Sequence, residues 1–311
     1  MALSLPTFLI RRAASILVVL VSVATLTFLI FHVLRPELFD HQRSMAAQLW
    51  TFLERAFLHF DFGRSWTAGH RRVSSMVLEG LPADASLLVG GMVLGTVGGL
   101  AGGAVAALRP RAPLSRLLDG LATVAICAPV YWVGLMAMFL FAPDIGSMPI
   151  PFLGGQGTYQ PLTQDPLHWL QGLVLPWIVL AAPLWGMCLR MMRVAMQDAL
   201  GQDFMRTAMG KGLRPRTIVR RHAVPAGAAP VIGLAGVQAV TLVTNAILVE
   251  RVFNIPGILR LTTNSMGVIE GKGTVDYPLL MGIVLTATLF IVVANAIADA
   301  LHAWLDPRVR V

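Results

Sequence analysis

Apolar residues fall into six long blocks along the 311-residue chain, at about 13–34, 84–108, 118–142, 170–192, 229–249 and 279–304. A helix of about 20 mostly apolar residues crosses the core of a bilayer. The pattern therefore predicts six membrane-spanning helices and an all-α, polytopic architecture. Polar stretches at 35–83, 109–117, 143–169, 193–228 and 250–278 separate the blocks. The first block follows Arg11 and Arg12, as a secretory signal would. Its apolar run from Ile16 to Leu34 is 19 residues long, and no small-residue cleavage site follows it. Signal sequences use about 7–15 apolar residues, so this one reads as a retained first span.

Finer periods run inside the blocks. In the second, Gly91, Gly95, Gly99 and Gly103 recur every fourth residue and share one helix face. Small residues let helix backbones approach closely in lipid, which makes this a predicted packing face. Gln238, Thr241 and Asn245 form a polar stripe on the fifth span, and Thr288, Asn295, Asp299 and His302 form another on the sixth. Unpaired polar groups are costly inside a membrane. Each stripe therefore either hydrogen-bonds a neighbouring helix or lines a polar translocation path, and both readings stay open.

Composition agrees: 56% of residues are apolar and 13% charged, with a mean hydropathy of +0.71. Soluble domains carry about 25% charged residues. Cys127 and Cys188 both lie in apolar stretches and read as small buried hydrophobes, not a disulfide framework. Charge then orients the spans. The N-terminus, 109–119, 190–222 and the last span with its tail hold 15 Lys and Arg against five acidic residues; the other loops hold nine against eleven. Cytoplasmic loops are rich in Lys and Arg, so both termini are predicted to be cytoplasmic. The net charge of +8 then reflects topology, and no nucleic-acid partner is needed to explain it. On the opposite side, 35–83 carries Trp50, Phe52, Leu53, Phe57, Phe60, Phe62 and Trp66, too apolar to float free, and is predicted to pack as a small helical cap. The expected organisation is thus 1–34 as N-terminus and first helix, 35–83 as the cap, and 84–311 as a five-helix core.

Two Gly-Lys-Gly stretches, "AMGKGL" and "IEGKGT", invite a nucleotide-binding reading. A phosphate-cradling loop needs G-x-x-x-x-G-K-[ST]. Here Lys211 and Lys272 are each followed by glycine, and Met205 and Met266 stand where the first glycine belongs. The seven histidines are scattered without metal-ligand spacing, and Ser86 has no evident base beside it. Neither ATP binding, a metal site nor enzymatic catalysis is predicted for this chain.

The polar stretch 193–228 is the anomaly. It reads as two short helices around a turn: "RVAMQDALGQDFMRTAM" with Val194, Leu200, Phe204 and Met205 on an apolar face, then Gly210 and Gly212 as breakers. Pro215 opens the second helix and Pro225 ends it. Its pattern, Asp203-Phe204-Met205-Arg206-Thr207-Ala208, then Lys211-Gly212-Leu213, Arg221-His222-Ala223 and Pro230, resembles the "EAA" coupling loop of ABC importer permeases. Further stretches resemble the dipeptide/oligopeptide/nickel permeases. They are "DFGRSW" (61–66), "LPADASLL" (81–88), Asp119, Pro129, Gly146 with Pro149, "VERVFNIPGILRL" (249–261), "DYPLLMG" (276–282) and the closing "LDPRVR" (305–310). The order of motifs matches the first of the two permeases that such transporters use. The chain departs from the family at Gly210 (usually alanine), at Pro225–Ala226 (usually Arg-Asn), at "RPELFD" after the first span and at Asp84 (usually threonine).

The resemblance implies a type I ABC importer permease fold in a bacterial inner membrane. It implies a coupling loop of Asp203, Phe204, Arg206, Thr207, Ala208, Lys211, Gly212 and Leu213 that docks on an ATPase, and a path lined by Gln238, Thr241, Asn245, Thr288 and Asn295. The implied partners are a second homologous permease, two ATPase subunits or one fused ATPase holding ATP and magnesium, and an extracytoplasmic solute-binding protein. The implied solute is a di- or tripeptide first, then longer peptides, nickel chelates or haem. A stand-alone ion-coupled transporter is the rival from another class, and would need membrane-embedded acidic residues or inverted repeats.

Overall fold

The structure, a computed structural model, describes residues 5–39, 42–143, 146–150, 152–263, 265–269 and 272–305, without the side chains of 5–10, 38, 206, 266–269, 272–274 and 303–305. The closing "LDPRVR" thus lies outside the described residues except for the backbone of Leu305. Eleven α-helices are described: α1 (Leu5–Leu34), α2 (Met45–Leu58), α3 (Val73–Leu108), α4 (Pro113–Cys127), α5 (Val130–Phe141), α6 (Pro166–Leu200), α7 (Asp203–Gly210), α8 (Pro215–Ile218), α9 (Val224–Val237), α10 (Ala239–Phe253) and α11 (Tyr277–Leu305). The two strands among the described residues form an antiparallel hairpin, β1 (Met266–Ile269) against β2 (Lys272–Val275), with Met266 opposite Val275.

Four of the predicted spans are single helices: α1, α3, α6 and α11. Two are not. The block at 118–142 is α4 and α5, bent by 113°, and the block at 229–249 is α9 and α10, bent by 53°. Proline causes the first bend. Pro129 has no N–H to give and its ring clashes with the preceding turn, so the helix stops at Cys127 and restarts at Val130. Counting each bent pair once gives six crossings.

By internal contacts the chain forms two units, and α3 and α11 have residues in both. The unit made of 86–254 and the chain from 294 onward is organised on α6, against which α4, α5, α9 and α10 pack. Asp165 starts α6, its Oδ1 accepting from the N–H groups of Leu167 (2.9 Å) and His168 (3.1 Å). The predicted glycine face of α3 meets α6 here. A Cβ at Gly91 would stand 2.9 Å from Leu180, at Gly95 3.0 Å from Leu184, at Gly99 2.4 Å from Cys188 and at Gly103 2.5 Å from the Leu189 carbonyl. At Gly99 and Gly103 the two helices are closer than a side chain allows, whereas at Gly91 and Gly95 the leucine side chains opposite would have to give way.

The unit made of residues up to 85 together with 255–293 has an aromatic core. Phe28, Ala24, Met281 and Leu285 are buried, and Phe39, Phe52 and Tyr277 pack on them. The Phe28 ring lies 5.1 Å from Phe39 and 5.8 Å from Phe52, and the Phe39 ring 5.6 Å from Tyr277. Most aromatic residues of 35–83 are therefore anchors, whereas Trp50 (71% exposed), Leu58 and Phe60 face outward. A buried carboxylate ties this unit together. Oδ2 of Asp276 accepts from Ser65 Oγ (2.6 Å), Thr67 Oγ1 (2.9 Å) and the N–H groups of Trp66 (2.7 Å) and Thr67 (2.9 Å), and Oδ1 accepts from Leu279 N–H (3.1 Å). The motifs at 61–66 and 276–282, 210 residues apart in sequence, are thus halves of one joint.

Candidate functional site

The polar stretch after α6 is built in a different order from the one its sequence suggests. Helix α6 does not stop with its apolar block but continues to Leu200, so the first predicted hairpin helix is partly the end of α6. Arg193 pairs with Asp119 of α4, and Arg190 Nη2 donates to Thr123 Oγ1 at 2.5 Å, which braces this extension. Gly201 and Gln202 interrupt the helix, and α7 begins at Asp203.

Within α7 the apolar face is divided. Met205 and Ala208, three residues apart, turn inward, Met205 being 1% exposed. Phe204 (46%), Met209 (56%) and, past the helix, Leu213 (40%) are held out. Asp203, Thr207 and Lys211 are exposed, and Thr207 Oγ1 donates back to the Asp203 carbonyl at 3.0 Å. Arg206 sits mid-helix, its side chain outside the described residues. Gly212 has φ +72° and its N–H donates to the Met209 carbonyl at 2.9 Å, a left-handed helix ending that favours glycine. Gly210 closes α7, and a Cβ there would meet nothing within 4 Å.

Pro215 opens the next helix as expected, but Pro225 does not end it. A π-helical turn spans Val219–Ala223, and the Val224 N–H donates five residues back to the Val219 carbonyl. The wider turn absorbs the donor that Pro225 lacks, and the helix runs on as α9.

The stripe on the fifth span sits at the second bend. Gln238 is the residue between α9 and α10, and its Nε2 lies 2.7 Å from Met187 Sδ of α6. With Thr241, Asn245 and Leu184 it borders a recess of about 10 Å³, the room one water takes. Thr241 and Thr244 are exposed beside Val237, Val240 and Leu248. The structure therefore keeps Gln238, Thr241 and Asn245 together and adds Thr244, whose spacing from Thr241 could have shown it. Asn295 borders α9, since a Cβ at Gly236 would stand 3.3 Å from its Oδ1. Thr288 belongs to the other unit and returns its hydroxyl to the Val284 carbonyl at 2.7 Å.

Residues 99–311 match the family model described as "Binding-protein-dependent transport system inner membrane component". The chain belongs to this family. The permease is 28% identical over 322 residues to a Brucella abortus (strain 2308) protein named as a peptide transport system permease, covering 97% of this chain and 98% of that one. It is 26% identical over 320 residues to the dipeptide transport system permease protein of Bacillus subtilis (strain 168), covering 97% of each. Against the protein of the same name from Lactococcus lactis subsp. cremoris (strain MG1363) identity is 26% over 322 residues, covering 97% and 99%. The permease is thus a multi-pass inner-membrane protein, and its four to six candidate spans belong to a transport component.

Sequence reasoning did not foresee the full burial of three carboxylates of the permease, Asp84, Glu250 and Asp276. Asp84 is well inside α3 rather than at a span end, and its Oδ2 accepts from the Ile258 N–H at 3.1 Å. A Cβ at nearby Gly80 would stand 2.5 Å from that same nitrogen. Asp84 and Asp276 hold polypeptide loops, a role that hydropathy does not reveal.

Proposed function

We propose that the permease is the transmembrane subunit of an ATP-driven importer of short peptides. A second, homologous permease completes the translocation path, and an extracytoplasmic binding protein delivers the solute. Two ATPase subunits, or one fused ATPase, hold ATP and magnesium on the cytoplasmic side, so the chain itself is not a catalyst. The observation that carries this reading is the outward-facing group Phe204 and Met209 on the short, polar helix α7, with Leu213 just past it. An exposed apolar cluster rimmed by polar residues marks a protein contact. The coupling residues Asp203, Phe204, Arg206, Thr207, Ala208, Lys211, Gly212 and Leu213 would form the seat for the ATPase. The names of the relatives support the peptide as solute.

Gln238, Thr241 and Asn245, with Asn295, would line the path. Supporting this, Gln238 stands where a helix bends, and irregular backbone at membrane depth is tolerated where it is buried in protein or lines a cavity. Closure of the ATPase pair would pull α7 and shift the balance between inward-open and outward-open states. A solute biases that balance only by its different affinity for the two.

The test is co-purification from native membranes, wild type against Phe204→Asp with Met209→Asp. The ATPase should accompany the wild type and be lost from the variant, while the variant keeps the detergent-solubilised size and helicity of the wild type. ATP hydrolysis by the captured complex should rise with peptide and binding protein, and not with a nickel chelate or haem. Equal ATPase recovery from both proteins would refute the docking assignment.

A further inference from the structure

Next to the joint at Asp276 the chain makes a second, very different structure. Gly63 to Val73 double back as a short antiparallel turn, with Val73 N–H donating to the Gly63 carbonyl (3.0 Å) and Ser65 N–H to the Arg71 carbonyl (2.9 Å). This pairing sets Arg64 directly opposite Arg72. Side chains opposed in this way have Cβ atoms about 5 Å apart, and like charges so placed repel. Both arginines are exposed, and neither has a carboxylate partner among the described residues. Arg64 reaches only the His70 carbonyl, at 3.4 Å.

The Asp61 carboxylate, which Arg72 also attracts, offsets the repulsion only in part. Asp61 is committed to Arg55, whose Nε and Nη2 donate at 3.1 and 2.5 Å, and to the Gly63 N–H at 2.9 Å. Those hydrogen bonds hold its carboxyl below the usual carboxylate range, so it is already ionised and already paired. Glu79 is likewise occupied, accepting from Arg71 with both oxygens at 2.7 Å. The backbone is also unusual here. Of three non-glycine residues with positive φ among those described, Phe60 (51°) and His70 (56°) flank this turn. Strain of this kind tends to collect at functional sites. Arg55, Arg64 and Arg72 border one open cavity of about 400 Å³ with His59, Ser74 and one carboxylate, Asp61, so three guanidinium groups meet a single acid there.

We propose that this cavity is a binding site for an oxyanion, a carboxylate or phosphate group, held by Arg64 and Arg72 with Ser74 as a further donor. Guanidinium groups suit both because they present paired N–H donors to two oxygens at once. Two sources offer such a group at a membrane surface: the carboxylate end of a short peptide, and the phosphate of a lipid headgroup. The peptide source rests on the import reading above; the phosphate source does not.

Calorimetric titration of the full chain in detergent at low ionic strength tests the site. The probes are trialanine, trialanine amide, inorganic phosphate and dihexanoyl phosphatidylglycerol. The variants are Arg64→Gln, Arg72→Gln and their Lys counterparts, with Arg71→Gln as a control that removes one charge outside the cavity. A lost charge-assisted hydrogen bond weakens binding about tenfold or more. Trialanine binding that falls about tenfold in the amide and in both Gln variants, recovers partly with Lys and is unmoved by Arg71→Gln supports the site with a peptide as its source. The same variant pattern for phosphate and the lipid, without trialanine, supports it with a lipid as its source. Binding by none of the probes, equal binding of acid and amide with no response to phosphate, or no effect of the Gln variants overturns it. Capture of the ATPase through α7 is unaffected by any of these results, so failure here leaves the import reading intact.

Discussion

Alanine placed along α3 and its neighbours should change stability with opposite signs at different glycines. At Gly99 the new Cβ would stand 2.4 Å from the Cys188 Cβ and 3.0 Å from both the Leu189 nitrogen and the Trp185 carbonyl of α6. Carbon atoms in contact sit about 3.5–4.0 Å apart, so the helices must separate by more than about 1 Å along this row. Overpacking of this sort costs about 1–3 kcal/mol. Alanine returns up to about 1 kcal/mol by its better helix propensity, which leaves Gly99→Ala less stable by up to about 2 kcal/mol. Gly103→Ala should behave alike, because it meets the Leu189 carbonyl at 2.5 Å and a carbonyl in a helix cannot swing away. Gly120 in α4 and Gly233 in α9 have nothing within 4 Å of a new Cβ. There the propensity gain is uncompensated, and Gly120→Ala and Gly233→Ala should be more stable by about 0.5–1 kcal/mol. Denaturant unfolding of the isolated chain in detergent, followed by tryptophan fluorescence, measures all four. If Gly99→Ala and Gly120→Ala shift the midpoint in the same direction, close approach of α3 to α6 is not what the glycine ladder provides.

Asp276→Ala should cost at least about 2 kcal/mol in the same assay, because the Trp66 and Thr67 N–H groups lose their acceptor and each unsatisfied buried donor costs about 1–3 kcal/mol; a loss under half of that would show that water replaces the carboxylate. Gly212→Val should raise tryptic cleavage around Lys211, since a side chain in the left-handed region costs about 1–2 kcal/mol, whereas Gly210→Ala should leave the digestion pattern unchanged. Asp61 titrates below its ordinary value of 3.8 through the Arg55 and Gly63 hydrogen bonds, so its contribution is present above that value and fades as pH falls through it. As a surface pair it is worth about 0.2–1 kcal/mol. The melting temperature of the wild type should therefore fall slightly more than that of Arg55→Gln between pH 6 and pH 3, and parallel curves would deny the pair any role.

Hydropathy located the four single-helix spans and both bent pairs because the cost of burying polar groups in lipid is read directly from composition. It did not see the bends, because a helix broken at Pro129 and one broken at Gln238 keep the same apolar average as straight ones. The four-residue glycine spacing translated directly into contacts with α6, since helix periodicity alone decides which residues share a face. Pro225 misled for a local reason: the π-helical turn that accommodates it is a backbone adjustment with no residue signature. The division of α7 into an inward Met205 and outward Phe204 and Met209 was also hidden, because residue type alone does not say which apolar side chain a neighbouring element covers. The carboxylates at 84 and 276 were the least legible, as their donors lie far off in sequence.

That last distance bears on how the protein is made. Ser65, Trp66 and Thr67 leave the ribosome 210 residues before the carboxylate that satisfies them. Chains grow at about 5–20 residues per second, so these donors wait about 10–40 s for Asp276. The segment around 61–73 cannot reach its final form as it emerges; it is completed only when Asp276 has been made. A translation product cut short of Asp276 would leave the Ser65, Trp66 and Thr67 donors without that acceptor.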